Sequence, residues 1–280
     1  INRYDYITKS IDSLLCLPLL PRQIIIIDQP PLPSRREDLY EPYIENQQIK
    51  VIFLEQAGQC TARNIGLKAA KNEWILLFED DAEAWPDMVE EHIKLIQRTN
   101  CDVSTGVIVP PGHGADFIAE TKRRYAISDI FTTGNAFLKK SLIEEAGWFD
   151  STFDKGPGAD DDLGRRLFLQ GKLIIYNFNS IEIHHKAPQG GMRVHGAWWR
   201  MSSPTWGAFP PATQLYVIRK YYKKKYWAWM LINMIIRAQK KHNTFSYIVL
   251  LLFFPLKYKK SKKEYQKIKS NPIFTKIEAK

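Results

Sequence analysis

Five apolar residues, Trp74 to Phe78, run directly into three carboxylates, Glu79, Asp80 and Asp81. Acids crowded at one point repel one another, and a cation that neutralises them removes the cost. Hard divalent ions take oxygen ligands of this kind and commonly bridge them to substrate phosphates. The chemistry this stretch could do is metal-dependent phosphate chemistry; a solvated acidic turn after a core strand is the rival reading and stands level with it. A second acidic group, Asp160-Asp161-Asp162, precedes an apolar pattern and reads as the first turn of a helix, whose positive end stabilises carboxylates. Plain helix capping accounts for part of that triplet, and Gly156 and Gly158 before it suit a loop that approaches a ligand closely. Two histidines, His184 and His185, stand side by side. In an extended chain they point to opposite faces, so at most one faces a site, and a surface or core histidine is an equal alternative. The loop Gly190-Gly191-Met192-Arg193 offers an arginine suited to bidentate phosphate contacts.

These residues need elements to hold them. The run 74–78 suits a strand buried on both faces of a parallel sheet, with its acids in the crevice at the carboxyl ends where such sheets bind ligands. Residues 22–28 repeat the pattern and end in Asp28, and 50–54 form a third short strand. Ile7, Ile11 and Leu14 share one helical face. Gly58 to Thr61 opens a helix to about Ala70 with Thr61 as N-cap, and Pro86 suits the first turn of a helix from about Asp87 to Arg98. A further strand is expected from about Leu173 to Phe178, ahead of the histidines. Strands and helices in alternation give an α/β class with a doubly wound sheet. Such folds usually open on a strand, so a first strand is expected before Ile1.

Charge divides the chain unevenly. Of the net +10, residues 219–280 carry +15, from 17 Lys/Arg against 2 acids, which leaves −5 on 1–218. A basic tail on an acidic body points to a polyanion partner. Acids at strand ends repel nucleic acid, so an anionic membrane surface is the expected one. No stretch reaches the length of about 18 apolar residues that spans a bilayer. The tail instead sets aromatic residues and Lys223-Lys224-Lys225 beside a short apolar run, 244–256, and a basic run, 257–269. That mixture suits an interfacial element or a helical cap on the body. Cys16, Cys60 and Cys101 have no metal-site spacing and fit a reducing compartment.

Residues 58–81 then resemble the family 2 glycosyltransferases: a Gly-rich turn, Ala62-Arg63-Asn64-Ile65-Gly66 opening a helix, and a strand that ends in an Asp-x-Asp-like motif, here Glu79-Asp80-Asp81. Thr133-Gly134-Asn135-Ala136, Gly147-Trp148-Phe149-Asp150 and Ala159-Asp160-Asp161-Asp162-Leu163 resemble later motifs of the same family, with Ala159 in place of its Glu. The usual Asp-Asp-x-Ser at the base contact is Asp28-Gln29-Pro30-Pro31. The resemblance covers about residues 1–195.

It implies a GT-A fold: a Rossmann-like mixed sheet flanked by helices over 1–200, with a C-terminal helical extension over 201–280. It implies an inverting glycosyltransferase that moves a sugar from a nucleotide-sugar donor to a glycan or lipid-linked acceptor. Glu79, Asp81 and His185 would hold Mn²⁺ or Mg²⁺. Asp28, Arg63, Asn64, Asp80, Gly134, Asn135 and Arg193 would contact the donor. Asp160 would be the general base, with Asp161 as the other candidate. The protein is then expected in the cytoplasm, peripheral at the inner face of the cell membrane, with no nucleic-acid partner. A nucleotidyltransferase would want a Gly-rich, Lys/Arg-bearing loop after its first strand, and a polyanion-binding protein leaves the strand-end acids without a task.

Overall fold

The computed structural model describes residues 3–112, 125–188, 208–239 and 244–269. The chain divides into two compact units, one formed by 1–151 with 160–190, the other by 152–159 with 191–280.

In the first unit, helix α1 (Tyr4–Leu15) turns Ile7 and Ile11 onto Ile24 and Ile26 of strand β1 (Ile24–Asp28) and onto Tyr40. Strand β2 (Ile49–Phe53) runs parallel to β1, with Ile24 opposite Ile49, and the one-turn helix α2 (Glu41–Ile44) lies between them in sequence. Helix α3 (Gln59–Ala69) begins three residues earlier than an N-cap at Thr61 predicts. Gly58 is its N-cap, and the Gly58 carbonyl accepts from Ala62 N–H at 2.9 Å.

A second sheet carries the rest of this unit. Its strands are β3 (Trp74–Phe78), β4 (Ala82–Ala84), β5 (Val103–Val109), β6 (Tyr125–Ser128), β7 (Asn135–Lys139) and β8 (Ile174–His184). Their order is β3-β7-β5-β8-β4, with β6 also on β8. Among the described strands of this sheet only β5 and β8 pair in parallel; the other pairs are antiparallel. The sheet is therefore mixed. The doubly burying parallel surroundings expected for β3 are not found: its partner is antiparallel β7, and Trp74 is 40% exposed. An apolar run specifies contact but not partner direction. Here Trp74 stacks on Phe137 at 5.2 Å, and Lys139 lies over its ring at 5.3 Å.

Helix α4 (Met88–Thr99) packs on β8 and β5, and Asn100, in left-handed geometry with φ 52°, ends it. It carries His92 into a buried polar knot. His92 Nε2 lies 2.7 Å from Asn135 Oδ1 and 2.8 Å from Ser180 Oγ, and Nδ1 lies 2.7 Å from Ser104 Oγ. The Asn135 amide donates to the carbonyls of Val107 and Ser180, both at 3.2 Å. Its oxygen must therefore accept, which puts the proton on His92 Nε2. Burial lowers the His92 pKa to about 4 and keeps the ring neutral. The knot stitches α4, β5, β7 and β8 together. Helices α5 (Lys140–Glu145) and α6 (Ala159–Leu169) follow β7 in sequence.

In the second unit, helix α7 (Ala212–Tyr221) buries Leu215, Tyr216 and Val217. A Cβ on Gly156 would stand 2.7 Å from Thr213 Cγ2, so that glycine meets its own chain and not a ligand. Gly158 has φ +111°, a conformation L side chains rarely adopt. Helices α8 (Trp227–Gln239) and α9 (Thr244–Lys269) share a small core of Met234, Ile235, Leu250 and Phe254 with Phe209. No described helix is long and apolar enough to cross a membrane.

Candidate active site

The turn between β3 and β4 presents Glu79, Asp80 and Asp81, and helix α1 pins it. Ser10 Oγ donates to the Asp80 carbonyl at 3.1 Å and accepts from Ala82 N–H at 3.3 Å. Antiparallel β4 sets Ala82 opposite His184, which brings the last residue of β8 beside Asp81. His184 Nε2 then lies 3.1 Å from Asp81 Oδ1 and 3.2 Å from Glu79 Oε2. The donor atoms of Glu79, Asp81 and His184 all fall within 4.8 Å of one another. Two carboxylates and an imidazole at that spacing form a donor set that fits a divalent cation.

His185 is the neighbour expected at the metal from sequence, and the structure turns it away. Its Nε2 lies 2.5 Å from Glu83 Oε1 and its ring 5.7 Å from that of Tyr6. Strand β8 runs on through His184, so alternation sends the two rings to opposite faces. The β4–β8 register decides which of them meets the acids.

Asp81 is fully buried and heavily partnered. Oδ1 accepts from Arg3 Nη1 at 2.7 Å, and Oδ2 accepts from Ala187 N–H at 2.8 Å. Arg3 Nη1 also reaches Asp80 Oδ1 at 2.5 Å. Burial works to raise the Asp81 carboxyl, but the His184 hydrogen bond and the Arg3 charge outweigh it and hold its pKa below the usual range. Glu79 behaves likewise, with burial opposed by His184 and Arg63. In return, hydrogen bonds to Asp81 and Glu79 raise His184 to about 10.

The acidic triplet divides by the partners each carboxylate meets. Asp160 turns to Thr133, accepting from its hydroxyl at 2.9 Å and its N–H at 3.3 Å. It feels the charges of both Arg63 and Glu79, and burial raises its pKa. Asp161 stands beside Arg165, which itself pairs with Asp129 at 3.4 Å. Asp162 is buried on Arg166 at 2.9 Å, and Arg166 in turn donates to the carbonyls of Ala146 and Trp148. It ties α6 to the loop 146–148. Of the three, Asp160 is the one set toward the strand-end acids.

Arg63 lies 4.0 Å from Glu79. Asn64, expected on the donor, has its amide on the Phe149 backbone, donating at 2.8 Å and accepting at 2.9 Å. Asn135, also expected there, is fully engaged in the His92 knot. Both are diverted for one reason: a buried backbone or ring polar group needs a partner, and these amides are the partners within reach. Gly134 does border the acids, since a Cβ there would stand 3.1 Å from both Glu182 carboxylate oxygens and 3.2 Å from Glu79 Cγ. Asp28 ends β1 with Oδ2 accepting from Tyr4 and Tyr40 hydroxyls, both at 3.0 Å, and lines a pocket with Arg3, Ile7, Ile26 and Asp80. Arg193 lies outside the described residues.

Sequence pattern alone did not single out Arg3 and Glu182 as site residues, and of the His184-His185 pair it set His185 at the metal. Glu182 is fully buried, and neither carboxylate oxygen has a hydrogen-bond partner among the described residues. Alternation with His184 could have flagged it, as both lie on one face of β8. Burial, and then the charge of Glu79, push its pKa well above the usual range. The unfolded carboxyl ionises above about pH 4.5, while the folded one holds its proton to higher pH. Glu182 therefore lowers stability as pH rises past that point. In thermal unfolding with EDTA, Glu182→Gln is expected to gain in melting temperature relative to the parent as pH goes from 4.5 to 8. A difference that stays constant with pH would contradict a neutral Glu182.

A sequence model described as "Glycosyl transferase family 2" matches residues 1–153. The chain is 23% identical over 179 residues to a chondroitin synthase of Escherichia coli, an alignment covering 47% of this chain and 25% of that protein. Among solved structures it is similar to GalNAc-T7 crystallised with UDP, GalNAc and Mn²⁺, with TM-score 0.53 and 16% identity, over 64% of this chain and 41% of the other. It is also similar to S. aureus TarS 1–349 in complex with UDP-GlcNAc, with TM-score 0.53 and 16% identity, over 69% and 58%. The chain thus spans a quarter of the synthase and less than two thirds of either solved chain.

Proposed function

The chain belongs to glycosyl transferase family 2 and has the GT-A fold, and on that premise we propose that it transfers a sugar from a nucleoside-diphosphate donor to a hydroxyl of a glycan or lipid-linked acceptor, inverting the anomeric carbon. One observation carries the reading: Glu79, Asp81 and His184 converge at one strand end, and Asp160 lies within the electrostatic reach of Glu79 and Arg63.

Asp160 takes the proton of the acceptor hydroxyl as that oxygen bonds to the anomeric carbon. The bond from that carbon to the diphosphate oxygen breaks, and its electron pair leaves with the diphosphate. Thr133 holds the Asp160 carboxylate in place. Burial raises its pKa, which makes it a stronger proton acceptor than an exposed carboxylate. A divalent ion, when held by Glu79, Asp81 and His184, supplies neutralisation of charge on the leaving group. Asp28, framed by Tyr4 and Tyr40, would border the nucleobase. The similarity to proteins solved with UDP-GlcNAc and with UDP and Mn²⁺ supports a UDP-sugar donor and Mn²⁺. A donor screen with Mn²⁺ that reads released nucleoside diphosphate tests the proposal; no release from any nucleotide-sugar, with or without glycan acceptors, would overturn it.

The choice of histidine has its own test. An ion needs the neutral ring, and His184 is held protonated up to about pH 10 without one. Mn²⁺ affinity should therefore rise with pH toward 10, and binding at pH 7 should release about one proton. His184→Gln is expected to weaken Mn²⁺ by at least about 10-fold and to abolish the proton release, while His185→Gln changes neither. Calorimetry in two buffers of different ionisation enthalpy reads both. Equal effects of the two substitutions would sink the assignment of His184.

A further inference from the structure

The second unit carries exposed apolar stripes on two helices, α8 and α9, that the transfer chemistry does not use. On α8, Trp229, Ile232 and Ile236 are all exposed, at i, i+3 and i+7 on one helical face. On α9, Ile248, Leu252 and Leu256 are exposed at i, i+4 and i+8, with Leu252 at 72%. The same face of α9 continues into Lys259, Lys263 and Lys267, all exposed. At 3.6 residues per turn these six positions lie within about a third of the helix circumference. The opposite face of α9 is the buried one, through Leu250, Lys257, Ser261 and Tyr265. The outward face is therefore divided along its length, apolar first and basic after. Lys223, Lys224 and Lys225, just before α8, are exposed as well.

We propose that this face docks on an anionic phospholipid surface, with the α8 and α9 apolar stripes entering the interface and the lysines of α9 on lipid phosphates. This deepens the transferase reading by naming a membrane-borne setting for the acceptor. Charge decides the occupant. A second copy of the chain would set one +15 tail against another, which opposes self-association. Nucleic acid would answer the lysines but leave the isoleucine and leucine stripe in water. An anionic bilayer answers both halves. The apolar part of α9 rises only about 20 Å, short of a bilayer core, so the helix lies in the interface and does not span it.

The test uses the full chain and vesicles of phosphatidylcholine, with or without about a third phosphatidylserine, read by co-sedimentation. The parent is expected to bind the anionic vesicles at least 10-fold more tightly than the neutral ones, and to be released by high salt. A triple variant Ile232→Ser, Leu252→Ser, Leu256→Ser and a triple variant Lys259→Gln, Lys263→Gln, Lys267→Gln should each lose at least 10-fold in that binding with an unchanged melting curve. All six side chains are exposed, so folding is not at stake. Equal binding to both vesicle types, no binding at all, or variants that bind like the parent overturn the proposal. So does an oligomer in the parent that the serine variant converts to monomer, which would assign the face to a second copy. The vesicle readout needs no donor, so its failure leaves the transferase reading standing, and a failed donor screen leaves the vesicle result standing.

Discussion

Asp81→Asn is expected to abolish transfer and to weaken nucleotide-sugar binding in Mn²⁺. The substitution removes a negative ligand from the Glu79, Asp81 and His184 group. It also replaces one acceptor oxygen of a fully buried side chain that receives Arg3, His184 and the Ala187 N–H. One of those donors loses its acceptor, a cost of about 1–3 kcal/mol. Part of any activity loss could then come from the fold, and a melting curve measures that part. Chelation separates the two effects without a mutation: EDTA should silence the parent enzyme, and Mn²⁺ should restore it. Full activity of the parent in EDTA, or of a folded Asp81→Asn variant in Mn²⁺, would remove the metal from the mechanism.

The second large effect belongs to Asp160. Asp160→Asn keeps the size and one of the two acceptor oxygens that face Thr133 but cannot take a proton. Donor binding should stay nearly unchanged while turnover falls by ~10²-fold or more, the range of a positioned base. The neighbours act as controls. Asp162→Asn should lower the melting temperature, because a buried partner of Arg166 loses its charge. Asp161→Asn should do little to either, since Asp161 stands beside Arg165 and Asp129. If Asp161→Asn instead gives the turnover loss with intact donor binding, the base is Asp161 and the assignment to Asp160 is wrong.

The chain's local chemistry is legible in the order of its residues. Apolar runs ending in acids at Asp28 and at Glu79 to Asp81, the acidic helix start at 160–162, and the basic tail are patterns carried by neighbours in sequence. Periodicity and end effects within a few residues set them, so they read correctly in isolation. The alternation of strands and helices likewise points to the α/β class, and the family motifs to GT-A.

What tertiary structure decided lies between segments far apart in the chain. His184 rather than His185 faces the acids because β4 pairs on β8 with Ala82 opposite His184, and a shift of one residue would exchange the two rings. Arg3 reaches Asp80 and Asp81 across more than 70 residues. Asn64 and Asn135 have the residue type of donor ligands, yet the Phe149 backbone and the His92 ring claim them first. Glu182 stands out in the fold because its buried carboxyl has no hydrogen-bond partner among the described residues. Residue type is local, whereas register, burial and hydrogen-bond partnership are settled by the summed packing of non-adjacent strands; that is why the sequence named the acids and the fold chose their company.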